Sequence, residues 1–292
     1  CLPLKPLLAL AKPESRKDTG LVSIDVADLT ATILVDGVTS KLPTLPAEDF
    51  PEVMSADGLS LVALWPAKDL HDALAYVLPA ANDDVTRPHL CGVNLSDNRA
   101  KATDGHRLHI ATLPTAIPEG MFLSTDAAST LVHMLFDDGQ VILARTENTL
   151  RARCGAWTLD AKLKTETFPD VDQAVPSVKT MPTRLEVEPQ AVRKAMARIG
   201  KITRRGCFKM TVNGVVTLSA DSDEGSTEFV LPTVSNTHVG SDLVTGFNAV
   251  YLAEAVNGSD ETAEIHLGGV LDPMRVDFCG TGRTAVVMPV RV

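Results

Sequence analysis

Phe168-Pro169-Asp170-Val171 repeats, with one conservative change, Phe50-Pro51-Glu52-Val53, about 118 residues earlier. In each case the tetrapeptide follows a helical pattern, a set of strand patterns and an acidic turn. A further step of about 120 residues lands on Met288-Pro289-Val290. The period is far longer than that of a solenoid repeat, so each repeat is the size of a domain. Only half a period precedes the first marker. The expected organisation is therefore residues 1–57 as the second half of a repeat, then full repeats at 58–178 and 179–292. Within a full repeat the order is strand, helix, strands, helix, strands. That order gives an α+β class, with two helices packed on antiparallel sheet in each domain and the N-terminal domain incomplete. A half-domain is expected to leave an unpaired sheet edge and an uncovered apolar face.

Composition supports packed domains. Hydrophobic residues make up 45% of the 292 residues, which argues against wholesale disorder, while aromatics are only 4%. The cores must therefore come from Val, Leu, Ala, Ile and Met. No apolar run approaches the ~18 residues of a membrane span, and residues 1–13 are too short and too interrupted for a signal peptide. Cys1, Cys91, Cys154, Cys207 and Cys279 are scattered, odd in number and never spaced as CxxC. They read as single thiols in a reducing cytoplasm, not as a zinc site or a disulfide framework. The net charge of −10 argues against a surface that coats nucleic acid everywhere, but a local basic patch is compatible with it.

Local patterns fill in the elements. Residues 3–12 suggest a short helix. Residues 21–26 and 31–35 alternate as strands, and 59–65 reads as another. Pro66 suits the first turn of a helix carrying Leu70, Leu74 and Val77. Strands are expected up to Thr112. Thr125-Asp126 reads as a cap for a helix with Leu131, Met134 and Leu135. Later helices are expected over 189–199 and 247–257.

Residues 102–108, Ala102-Thr103-Asp104-Gly105-His106-Arg107-Leu108, place an acid, an imidazole and a guanidinium side by side. An acid/base pair of Asp104 and His106, with His109 close by, is one reading. No nucleophile motif, glycine-rich phosphate loop or HExxH accompanies it. The plainer reading makes Asp104 a turn former whose carboxylate accepts backbone N–H groups. His71, His89, His133, His238 and His266 are too dispersed to suggest metal ligation.

In residues 190–201, Val192, Ala195, Met196 and Ile199 fall at helical spacing and define a buried stripe. Lys194, Arg198 and Lys201 lie opposite, Arg193 flanks them, and Arg204 and Arg205 follow. A solvated helix face is the bland account of this cluster. A phosphate-facing stripe is the functional one, with sequence-independent, salt-sensitive contacts.

Together with the period and the domain-end markers, residues 102–108 and the terminal Val287-Met288-Pro289-Val290-Arg291-Val292 resemble the bacterial DNA sliding clamp, the beta subunit of DNA polymerase III. Residues 42–51, Phe168-Pro169-Asp170 and Phe247-Asn248 add to the likeness. It covers essentially the whole chain and lacks only the family's first half-domain. The resemblance implies a non-catalytic processivity factor with no cofactor or metal. Two subunits would close head to tail around duplex DNA in the cytoplasm. DNA polymerase III, clamp-loader subunits and repair polymerases would dock through short peptides. It implies a peptide pocket of Leu90, Thr103, Gly105, His106, Arg107, Leu108, Pro169, Pro273, Val286, Met288, Pro289, Val290 and Arg291. Leu90, Leu108, Val286 and Met288 would offer the apolar slot, and Arg107 would fix polar atoms of the peptide. It implies a DNA-facing set of Lys194, Arg198, Lys201, Arg204 and Arg205, with Lys5, Lys12 and Lys68 on other helices. Gln173, Ala174, Val290 and Val292 depart from the family pattern beside the pocket and suggest a shallower slot. A clamp-like adaptor that binds such peptides without closing a ring is the alternative reading.

Overall fold

The computed structural model describes residues 1–12, 21–49, 57–135, 139–203, 206–223, 225–257, 262–278 and 280–291. Phe50 to Val53, Asp138, Arg204, Arg205, Gly258, Cys279 and Val292 fall outside the described residues. The chain forms two compact units, Cys1–Asp57 and Gly58–Val292.

The first unit contains α1 (Leu4–Ala11), β1 (Val22–Ala27), β2 (Thr30–Val35) and β3 (Val38–Pro43). The strands form an antiparallel sheet in the order β1-β2-β3. Alternation decides what is buried: Ala31 and Ile33 of β2 are fully covered, whereas every residue of β1 is exposed. Leu4 and Leu8 of α1 are exposed as well.

The second unit begins with β4 (Ser60–Pro66), α2 (Ala67–Val77), β5 (Gly92–Thr103), β6 (Arg107–Ser124) and α3 (Thr125–Met134). Next come β7 (Gln140–Arg145), β8 (Thr149–Cys154), β9 (Trp157–Lys162), β10 (Thr183–Val187) and α4 (Pro189–Ile202). Then follow β11 (Cys207–Val212), β12 (Val216–Ser222), β13 (Gly225–Leu231), β14 (Thr233–Asn236), β15 (Leu243–Asn248) and α5 (Ala249–Ala255). The unit closes with β16 (Ala263–Leu267), β17 (Met274–Phe278) and β18 (Arg283–Val287).

Several boundaries differ from the sequence reading for local reasons. Pro66 ends β4, and α2 starts one residue later. The cap of α3 is Ser124, whose hydroxyl accepts the Ala127 N–H at 3.2 Å, not Thr125. The last helix is shorter than 247–257, because Phe247 and Asn248 still belong to β15 and Asn248 caps α5. β6 runs well past Thr112. Its Pro114 and Pro118 fall in a stretch where the register with β5 shifts, so the missing N–H groups cost no regular ladder bonds.

Two four-stranded sheets, β4-β7-β8-β9 and β13-β12-β11-β15, accompany a seven-stranded sheet, β14-β10-β16-β17-β18-β6-β5. The seven-stranded sheet joins strands from residues 92–124 with strands from residues 183–287. The join is the antiparallel pairing of β18 with β6, Arg283 opposite Ala111 through Val287 opposite Arg107. One continuous apolar core lies beneath, from Trp65, Leu70 and Leu74 through Met121 and Leu131 to Phe208, Phe247 and Val287. The Trp65 indole N–H is satisfied by Thr115 Oγ1 at 2.8 Å. This join positions the candidate site.

Candidate functional site

β5 and β6 form a hairpin that turns through Asp104-Gly105-His106. Asp104 Oδ1 accepts the N–H groups of His106 and Arg107 at 2.8 and 3.0 Å. Thr103 Oγ1 accepts the Gly105 N–H at 3.1 Å and donates to the Arg107 carbonyl oxygen at 2.6 Å. Gly105 sits at φ +89°, a conformation that disfavours any side chain. Asp104 is therefore the turn former that its neighbours suggested, with Oδ1 used up in that task.

The terminal segment runs along this hairpin. Val286 pairs with Leu108 and Val287 with Arg107. The Met288 N–H donates to the His106 carbonyl oxygen at 2.9 Å, and the Val290 N–H donates to the Gly246 carbonyl oxygen of β15 at 2.9 Å. Pro273 precedes Met274, which pairs with Val287. Leu90 is buried in a short turn of 3-10 helix, Pro88–Leu90. The preceding Arg87 lies beside the hairpin turn, its Nη1 3.9 Å from where a Cβ on Gly105 would stand. Gly105, His106, Met288 and Arg291 are exposed, and Pro289 and Val290 are half-buried.

A second apolar cluster, separate from the main core, forms at the join. Leu108, Ile110 and Val286 meet Val171, with Phe168 and Val175 packed against them. Leu108 and Val286 are only 4% and 2% exposed, so the slot expected there has a covered floor. The cover is the segment holding Phe168, half-buried Pro169 and Val171. It is fastened by Asp172, which receives Arg99 at 3.0 and 2.8 Å and Lys101 at 2.9 and 3.2 Å. Burial opposes ionisation of Asp172, but hydrogen bonds from Lys101 and Arg99 outweigh it and hold the carboxyl below the usual carboxylate range. Gln173, one of the departures from the family pattern, is bonded to Asp170 at 3.1 Å.

Arg107 does not behave as a free donor in the pocket wall. Its Nε donates to Asp104 at 3.2 Å, one Nη donates to the Pro79 carbonyl oxygen, and the other pairs with Glu254. The guanidinium also stacks over the Tyr251 ring at 4.3 Å. The guanidinium is thus held inside the fold, against Asp104, the Pro79 carbonyl oxygen, Glu254 and the Tyr251 ring. Glu254 and Tyr251 both lie on α5 and escaped the sequence reading. They are about 145 residues from Arg107, and no local spacing links them.

The basic helix α4 buries Val192, Ala195, Met196 and Ile199, the stripe read from the sequence. Lys194, Arg198 and Lys201 are exposed. Arg193 is half-buried, with Nη1 3.3 Å from the Val256 carbonyl oxygen. Lys68, at the start of α2, is paired with Asp72 at 2.7 Å. Lys5 and Lys12 are exposed on and just after α1 in the first unit. Among the described residues no group of three or more His, Cys, Asp or Glu is placed to hold a metal ion. No described helix is long and apolar enough to cross a membrane.

An α+β scaffold of repeated domains, with a sheet running through the join and a tail laid along a hairpin turn, is the fold of a DNA clamp. No protein-family model matches the chain. The chain is 27% identical over 308 residues to the beta sliding clamp of Pseudomonas aeruginosa, covering 100% of this chain and 81% of that protein. To the beta sliding clamp of Caulobacter vibrioides it is 28% identical over 270 residues, covering 86% and 71%. Among solved structures, a DNA polymerase sliding clamp from P. aeruginosa with ligand superposes with a TM-score of 0.82 at 25% identity, over 100% of this chain and 81% of that one. A sliding clamp (DNA polymerase III subunit beta) from Bartonella birtlesii bound to griselimycin gives 0.82 at 26%, over 94% and 77%. The chain is thus a homologue of the bacterial beta sliding clamps, the beta subunits of DNA polymerase III.

Proposed function

We propose that this chain is a non-catalytic DNA sliding clamp that encircles duplex DNA and tethers a replicative polymerase and repair proteins. Its partners are duplex DNA, held without sequence preference, and DNA polymerase III, clamp-loader subunits and repair polymerases, docked through short peptides. It works in the cytoplasm as a head-to-tail dimer. Residues 58–178 and 179–292 are its second and third clamp domains.

The observation that carries this reading is the pairing of β18 with β6, which lays Val286 to Met288 along Leu108 to His106 and passes Val290 on to Gly246 of β15. The juxtaposition builds a docking site from exposed Met288 and His106 beside the covered apolar cluster of Leu108 and Val286. Met is suited to ligands of varied shape, and exposed Met288 and Arg291 flank the half-buried Pro289 and Val290 on the side an extended peptide would approach. The surface of α4 supplies Lys194, Arg198 and Lys201 for phosphates. A clamp needs no tighter hold, because sliding requires that no base be read.

Retention on DNA is the direct test. A clamp loaded on nicked circular duplex stays bound through gel filtration and runs off when the circle is linearised, and native mass measurement gives a dimer. A stable monomer that is lost equally from circular and linear DNA would support the adaptor reading and overturn the ring. Removal of residues 288–292 is expected to abolish griselimycin binding in a titration while leaving the melting temperature nearly unchanged. Undiminished binding would place the pocket elsewhere.

A further inference from the structure

We propose that Glu254, seconded by Tyr251, is a positioning residue for the docking site: through Arg107 it sets the hairpin turn on which residues 288–290 are seated. This rests on the docking reading above and adds to it an element, α5, outside the expected pocket.

The relay is short and each link is a contact described above. Glu254 and the Tyr251 ring hold the Arg107 guanidinium. Arg107 Nε holds Asp104. Asp104 holds the N–H groups of His106 and Arg107, which fixes the peptide planes of the turn. The carbonyl oxygen of His106 then receives the Met288 N–H. The side chains of Arg107 and Asp104 are 11% and 14% exposed, so their pairing is poorly screened and strongly directional.

The other end of the tail answers to the same piece of structure. β15 leads straight into α5, and the Gly246 carbonyl oxygen of β15 receives the Val290 N–H. The strand and helix therefore form a bracket. One arm sets Val290 directly, and the other sets Met288 through Glu254, Arg107 and His106. Met288 and Val290 flank Pro289, whose ring leaves this stretch little freedom of its own. A shift of α5 against the hairpin would change the spacing of the two seats and hence the shape of the slot.

The test uses the full chain with griselimycin as the probe, alongside amide hydrogen exchange without ligand. Glu254→Gln keeps the side chain's size and removes its charge. Glu254→Ala removes the contact, and Arg107→Ala removes the middle of the relay. Glu254→Ala is expected to weaken griselimycin binding about tenfold. Arg107→Ala and the double variant are expected to bind equally, because both act through one path. The Met288 amide should exchange faster in Glu254→Gln and Glu254→Ala, with the Val290 amide unchanged. Additive losses in the double variant would mean that Arg107 touches the ligand itself. Unchanged Met288 exchange, or griselimycin affinity within about twofold of wild type, would overturn the proposal. Wild-type protein that fails to bind griselimycin would instead count against the docking reading, and the exchange measurement would still decide the relay.

Discussion

His109 lies in β6, two residues beyond Arg107, and is completely buried. Its Nδ1 is 2.8 Å from the Tyr76 carbonyl oxygen, and the two rings stack with centroids 5.0 Å apart. A carbonyl only accepts, so Nδ1 carries the proton and the neutral ring is fixed in one tautomer. Burial pushes its pKa down to about 4 from 6.5, against the pull of the Tyr76 carbonyl. The unfolded chain therefore binds a proton at higher pH than the folded one does. Stability is complete above about 6.5 and is lost as pH falls from there toward 4. Between pH 7.5 and 5 the loss from this one residue amounts to about 2 kcal/mol. Urea midpoints at the two pH values should show it, and His109→Phe should flatten the difference. Much of this neighbourhood was legible in the sequence. Asp104 before a glycine reads as a turn former because that chemistry is local. The direction of Arg107 was not legible, because its partners on α5 and at Pro79 are set by packing and not by spacing.

Among the elements, α4 is the clearest case of periodicity deciding structure. Four apolar positions at helical spacing become its buried stripe, and the charges between them are left outside. Reversing Lys194, Arg198 and Lys201 to Glu should therefore leave the fold within about 1 kcal/mol of wild type. DNA retention should fall, most of all at low salt, with a shallower salt dependence by close to 0.9 for each lost phosphate contact. Anisotropy titrations on a duplex at several salt concentrations measure both quantities; an unchanged slope would mean that this face meets no phosphate. Edges of elements were read less well than their interiors. α3 is capped by Ser124 because a hydroxyl one residue earlier reaches the Ala127 N–H. β6 outruns its expected end because its prolines sit where the pairing is irregular. Neither effect leaves a mark on hydrophobic spacing.

Across the whole second unit, one core and one seven-stranded sheet serve both repeats. The family resemblance set Leu108 beside Val286, but the sequence period carried no sign that the two repeats share one sheet through residues 107–111 and 283–287. Residues 58–292 should accordingly unfold in a single calorimetric transition. Residues 58–178 produced alone would expose the edge of β6 from Arg107 to Ala111, together with Leu108 and Ile110. That fragment is expected to aggregate or to melt well below the 58–292 unit, and two resolved transitions in the intact unit would refute the shared core.

The hydrogen bond from Met288 to His106 spans most of the chain. At a synthesis rate of roughly 5–20 residues per second, the hairpin turn waits on the order of 10–40 seconds for the segment that completes it. A nascent chain in that interval carries the turn without residues 288–290, which on the proposed reading is only half of a docking surface. On the docking reading proposed above, capture of a partner waits until residues 288–290 have been made.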